Sequence, residues 1–147
     1  MRRLPIALAA VVVVAAGLGV HFLAPTGFVT DAVGDTLYAA LIFLLVAFLI
    51  PSRSPWFIGA VALVWCVSVE FFQLTGLPEQ WGAAFRPLML VFGTVFSATD
   101  LLFYAAGVAI ATSCALLLRL GRRLHGSLRL AHLRERLRTG DVGDRTE

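Results

Sequence analysis

Apolar and polar positions alternate in long blocks along this chain. An apolar run over residues 4–24 follows Met1-Arg2-Arg3 and ends at Pro25. A second covers residues 33–50 and stops at Pro51; a third, residues 55–75, opens on Pro55-Trp56 and closes at Gly76. Pro at a helix start and Gly just past its end fit these boundaries. Residues 99–120 form a fourth run, whose apolar stretch starts at Leu101. Each is near the roughly 20 residues that carry an α-helix across a bilayer. Residues 87–97 are apolar but too short to span alone. Two readings fit them: a half-helix or re-entrant segment before the fourth span, or one tilted helix over residues 87–120. The first run has the charge pattern of a signal peptide but no small-residue cleavage site, so it is expected to stay as an uncleaved helix.

Composition agrees with this pattern. The 147 residues are 59% hydrophobic and 14% charged, with mean hydropathy +0.88. A water-soluble domain is about 45–50% apolar and about 25% charged. In lipid, the backbone must be satisfied within each spanning segment, which selects helices here. The expected fold is an all-α integral membrane protein: a four-helix bundle over residues 1–120, the short segment at 87–97, and an Arg-rich cytoplasmic tail over residues 121–147. Cys66 and Cys114 both fall in apolar runs and read as small buried hydrophobes.

Charge placement sets the orientation. There is no Lys, and eight of the Arg residues lie from Arg119 onward. Arg2, Arg3 and Arg53 flank helix ends that an even number of spans puts on one side, while the loop over residues 25–33 has no Arg. The positive-inside rule then places both termini in the cytoplasm of a bacterial inner membrane. Trp56 and Trp81 suit interfacial depths. In the tail, Leu130, Leu133 and Leu137 share one helical face, with His132, Glu135, Arg136 and Arg138 around the other. This is a basic surface helix on lipid, or a solvated tail that enforces topology. Residues 141–147 are expected to be disordered. The basic residues suit an anionic leaflet, and no nucleic-acid partner is expected.

Within this topology several polar residues converge on the extracytoplasmic half. Asp35 lies near the outer end of the second helix, Glu70 and Gln73 in the outer third of the third, and Asp100 in the first turn of the fourth. Arg86 sits in the outer loop with Glu79. An ionised residue at a helix centre costs roughly 2.5–3.5 kcal/mol on insertion scales. Helical spacing adds Tyr38 beside Asp35, and Tyr104 and Gly107 beside Asp100. Gly34, Gly93 and Gly107 permit close helix approach. Two readings stand. Asp35 and Asp100 could be helix caps, with Glu70 protonated or paired to Arg86. Alternatively Asp35, Tyr38, Glu70, Gln73, Arg86, Asp100 and Tyr104 form a ligand site, in which three carboxylates against one Arg leave a negative excess. A proton, a cation or a ligand amine would answer that excess.

No metal-binding, phosphate-loop or nucleophile motif is present, and no cofactor is expected. His21 reads as an interfacial residue; His125 and His132 fall on the cytoplasmic side. Ser68 and Thr99 have no base beside them in the sequence. These absences weigh against the alternative of a membrane-embedded acid–base enzyme using Glu70 or Asp100. The pattern is also compatible with a small transporter, or with a structural subunit that meets a second copy of itself or an envelope protein.

Gly34-Asp35-x-Leu37-Tyr38-Ala39, Glu70-x-x-Gln73-Leu74, Arg86, and Gly93-x-x-Phe96-x-x-x-Asp100-Leu101-x-x-Tyr104-x-x-Gly107 occur in that order. Over about residues 2–118 the chain resembles a DUF family of small, uncharacterised bacterial membrane proteins labelled "ribosomal maturation YjgA family". Nothing in the chain suits ribosome binding. The order Glu-x-x-Gln, Arg, Asp is also similar to VanZ-like proteins, which are linked to glycopeptide and lipopeptide tolerance at the cell envelope. The chain departs from these in its loop between Gln73 and Arg86 and in Tyr104, where Asn is expected. The resemblance points to Asp35, Glu70, Gln73, Arg86 and Asp100, the residues already reached from topology. The expected role of this outer cluster is to bind the headgroup of a membrane lipid, a lipid-linked envelope precursor or an amphiphilic antibiotic.

Overall fold

The computed structural model describes residues 3–93 and 95–143, with side chains except those of residues 90, 131–134 and 136–143. It contains six helices among these residues: α1 (Arg3–Leu23), α2 (Phe28–Leu49), α3 (Pro55–Gln73), α4 (Leu77–Ala84), α5 (Pro87–Phe92) and α6 (Ala98–Gly143). Among the described residues there is no strand. Four helices, α1, α2, α3 and α6, are long and apolar enough to cross a membrane. Their outward faces carry large apolar side chains such as Leu8, Leu49, Trp56, Val64 and Leu102. That much exposed apolar surface is unfavourable in water and natural in lipid. The chain is an all-α membrane protein.

Residues up to Thr112 form one packed unit. Its core is three helical stripes. Ala39, Phe43 and Ala47 on α2 face Ile58, Ala62, Cys66 and Val69 on α3, with Tyr104 and Val108 from α6 closing the third side. The spacing of three or four residues within each stripe keeps its side chains on one helical face. α3 is the most buried spanning helix, and α1, with no buried residue, lies at the periphery against α2. Neighbouring spans run antiparallel. Arg3 at the start of α1 lies over the Phe48 ring near the end of α2, at 5.5 Å. Gly59, early in α3, meets Val108 and Thr112, whereas Glu70, late in α3, meets Tyr104. At Gly107 a Cβ would overlap the backbone oxygen of Thr36, so α2 and α6 approach as closely as a missing side chain allows.

Local signals explain the ends. Ser54 caps α3: its Oγ accepts from the Phe57 N–H at 3.2 Å, and Pro55 follows at the first helical position. α2 begins at Phe28, earlier than the hydropathy pattern predicts, because Thr30 Oγ1 donates to Pro25 O at 2.6 Å and Asp31 sits in the first turn. α4 has no counterpart in the apolar pattern. Gly76, with φ 70°, ends α3 in the left-handed region and restarts the chain, with Pro78 and Glu79 in the new first turn. Trp81 of α4 packs on Phe72 of α3, ring centroids 5.5 Å apart.

The expected short helix before the fourth span is present as α5, shorter than residues 87–97, and it is separate from α6, so one tilted helix over residues 87–120 does not form. α5 ends at Phe92, and Gly93, with φ 63°, breaks it. α5 has six residues, about 9 Å of helix, so it cannot cross.

The second unit begins at Ser113. The expected tail helix is present as the continuation of α6, which runs on to Gly143. Gly126 does not interrupt it. The described side chains of residues 121–130 are all exposed. The expected apolar face beyond Leu130 lies outside the described side chains, as does Arg2 at the other end. Residues 141–143 are helical where no helix was expected, and residues 144–147 lie outside the described residues. Cys66 is buried as expected, but Cys114 is exposed. In a spanning helix an apolar run does not say which face looks inward.

Candidate functional site

The end of the bundle where α2 and α6 start and α3 finishes holds a polar network. Glu70 is fully buried. Tyr104 OH donates to its Oε1 at 2.9 Å, and the Ser97 backbone N–H donates to its Oε2 at 3.2 Å. Ser97 belongs to the turn that opens α6. Its Oγ donates to Asp100 Oδ1 at 2.5 Å, and its carbonyl accepts from the Asp100 N–H at 3.2 Å. Asp100 is therefore tied into the α6 first turn, where an acid also meets the positive end of the helix dipole. Glu70 is not the partner of Arg86: both oxygens take neutral donors, so the pairing that the sequence left open does not form.

A second set of bonds holds α5. Gln73 Nε2 donates to Phe92 O at 2.7 Å, and Tyr38 OH donates to Val91 O at 2.8 Å. Trp65 Nε1 donates to the Tyr38 oxygen at 3.2 Å. Those two carbonyls would bond the next turn of a longer helix. Gly93 makes the approach feasible, since a Cβ there would stand 2.5 Å from Gln73 Nε2.

Beside this network lies a cavity of about 490 Å³, within the range of small-ligand sites. Its polar lining comes from His21 on α1, Thr30, Asp31 and Asp35 on α2, Gln73 on α3, and Asp100 and Tyr104 on α6. Gly17, Gly34 and Gly93 widen it. Two acceptors are buried without a hydrogen bond among the described residues: Asp35 Oδ2 and Gln73 Oε1. Gln73 is only 7% exposed. Buried polar atoms are rarely left unpaired, and such exceptions call for an explanation. No group of three or more His, Cys, Asp or Glu side chains among the described residues is placed to hold a metal ion. The carboxylates stand around the cavity instead of converging on a point.

Of the seven candidates read from the sequence, Asp35, Gln73, Asp100 and Tyr104 line the cavity, and Glu70 joins it through Tyr104. Tyr38 serves α5, with its ring 5.9 Å from that of Tyr104. Arg86 is the exception. It is exposed at the N-cap of α5 and does not line the cavity. Topology gave its depth but not its lateral position. His21, Thr30, Asp31 and Ser97 were not among the candidates. Asp31 was legible as the residue one turn before Asp35, and Ser97-x-x-Asp100 as a helix-start pattern. His21 becomes part of the site only through the packing of α1 on α2.

No curated protein and no solved structure matches the chain. One family model, described as a protein of unknown function (DUF2809), matches residues 24–108. The matched stretch contains Thr30, Asp31, Asp35, Tyr38, Glu70, Gln73, Arg86, Ser97, Asp100 and Tyr104, and excludes His21 and the Arg-rich end of α6. It carries neither the ribosome-maturation label nor the VanZ likeness. From α2 through the first turns of α6, which hold this network, the chain belongs to the DUF2809 family of proteins of unknown function.

Proposed function

We propose that this is a ligand-binding protein of the bacterial inner membrane, with both termini in the cytoplasm, whose cavity takes the polar headgroup of an amphiphile on the extracytoplasmic side. The ligand class is a lipid, a lipid-linked envelope precursor or an amphiphilic antibiotic. The observation that carries the reading is the cavity of about 490 Å³, polar in its lining, two of whose residues, Asp35 and Gln73, each carry a buried oxygen with no partner. The positions support the side. His21 is near the end of α1, Asp31 and Asp35 near the start of α2, Gln73 at the end of α3 and Asp100 at the start of α6. Arg3 and Arg53 flank the opposite helix ends, as the positive-inside rule requires of the cytoplasmic face.

The test is native mass spectrometry of the detergent-solubilised protein, wild type beside Asp35→Asn and Gln73→Leu. A co-purifying amphiphile that both variants lose supports the reading. The same lipid background in all three proteins refutes it.

A further inference from the structure

We infer that the cavity selects a cationic, ammonium-type group, with Gln73 Oε1 and Asp35 Oδ2 as the acceptors that receive its N–H donors. This rests on the headgroup-binding reading and gives it a chemical class.

The first argument is the sign of the lining. Asp31, Asp35 and Asp100 contribute carboxylates, and His21 is the one described lining residue able to carry a positive charge. Arg86, the residue suited to phosphate, is exposed on α5. An anionic group would stand among three carboxylates, whereas a cation is attracted by all three.

The second argument is the orphaned amide oxygen. Gln73 is more than nine-tenths buried. Its Nε2 is committed to Phe92 O at 2.7 Å. Flipping the amide would set its oxygen against that carbonyl, acceptor against acceptor. Oε1 is therefore fixed as an acceptor without a partner on a residue that lines the cavity, and Asp35, another lining residue, carries an unpartnered oxygen in Oδ2. A ligand that satisfies both must donate. Ionised carboxylates and fully ionised phosphates have nothing to donate, whereas a primary ammonium carries three donors and no acceptor.

The third argument is scale. The acids do not converge as metal ligands do, and about 490 Å³ is far more space than a bare ion fills. An ammonium carried on a larger body suits both facts.

The experiment is native mass spectrometry of the full chain titrated with dodecylamine, dodecyl phosphate, dodecyltrimethylammonium and propylamine. Dodecylamine should bind at a concentration about tenfold or more below dodecyl phosphate, a difference that corresponds to one decade in Kd. Dodecyltrimethylammonium, charged but without N–H donors, should fall between them. Asp35→Asn and Gln73→Leu should each weaken dodecylamine binding by about tenfold. Asp35→Asn keeps the side-chain shape, so it stands as the test if Gln73→Leu disturbs α5. Equal or stronger binding of dodecyl phosphate, lost in the same variants, overturns the cationic class and leaves amphiphile binding standing. Propylamine binding as tightly as dodecylamine, and lost in the variants, upholds the ammonium class and removes the amphiphile. Dodecylamine uptake that neither variant changes is partition into the micelle, and overturns both.

Discussion

Replacing Glu70 by Leu should destabilise the bundle more than any change of comparable volume on its lipid-facing surface. The structure gives the magnitude. Glu70 is wholly enclosed and is the acceptor for two donors, Tyr104 OH at 2.9 Å and the Ser97 N–H at 3.2 Å. Leu fills similar space and accepts nothing. Each buried donor left without a partner costs about 1–3 kcal/mol, so the pair amounts to about 2–6 kcal/mol. Glu70→Gln keeps one oxygen and should lose about half of that. Tyr104→Phe removes one of the two donors to Glu70 and should cost about 1–3 kcal/mol. The double variant should cost less than the sum, since both changes remove the same bond. Cys66 supplies the assay. It is buried one turn before Glu70, whereas Cys114 is exposed. In a Cys114→Ser background, a thiol-reactive fluorophore reports the temperature at which Cys66 becomes accessible. At about 2–4 °C per kcal/mol, Glu70→Leu should melt about 2–12 °C below Glu70→Gln, and both below the parent. A Leu variant that melts with or above the parent would refute the claim that this carboxylate holds the start of α6.

The remaining predictions use the same melt or a labelling readout. Gly107→Ala should lower the transition by an overpacking cost of about 1–3 kcal/mol, because its Cβ would overlap Thr36 O and stand 3.0 Å from Ala39 Cβ; an unchanged melt would show that α2 and α6 are not in contact there. Gly93→Ala should cost about 1–2 kcal/mol for its left-handed backbone and displace the Gln73 amide, so dodecylamine binding should weaken with stability; full binding in this variant would argue against a pinned amide. For orientation, Thr26→Cys and Ser52→Cys, both at exposed loop positions, can be made in a background without Cys66 and Cys114. A membrane-impermeant maleimide added to spheroplasts should label Thr26→Cys at once and Ser52→Cys only after permeabilisation, and the reverse order would invert the assigned topology.

The four spanning helices were legible because their signal is additive: some twenty apolar residues in a row override any local detail. The short elements were not. Leu77–Ala84 has no long apolar stretch, and its helix rests on Gly76, Pro78 and the contact of Trp81 with Phe72, the last of which is tertiary. α6 continues past residue 120 because no Pro intervenes and Gly126, with open space around it, is an inadequate breaker by itself. For the site, sequence position and topology gave depth along the membrane normal, which brought Asp35, Glu70, Gln73 and Asp100 to one level. They could not give rotation about each helix axis. That coordinate separates Gln73, aimed at the cavity, from Arg86, turned out of it, and it brings in His21 and Asp31.

The way α5 is held also sets an order of assembly during synthesis. Its carbonyls at Val91 and Phe92 are received by Tyr38 and Gln73, and Tyr38 is in turn steadied by Trp65. All three side chains precede it in the chain. Nineteen residues separate Gln73 from Phe92, about 1–4 s of elongation at roughly 5–20 residues per second. By the time the α5 backbone leaves the ribosome, its receptors already exist on α2 and α3, and the segment docks onto a surface made before it. A stretch too short to hold itself in the bilayer thus never has to wait there with bare carbonyls.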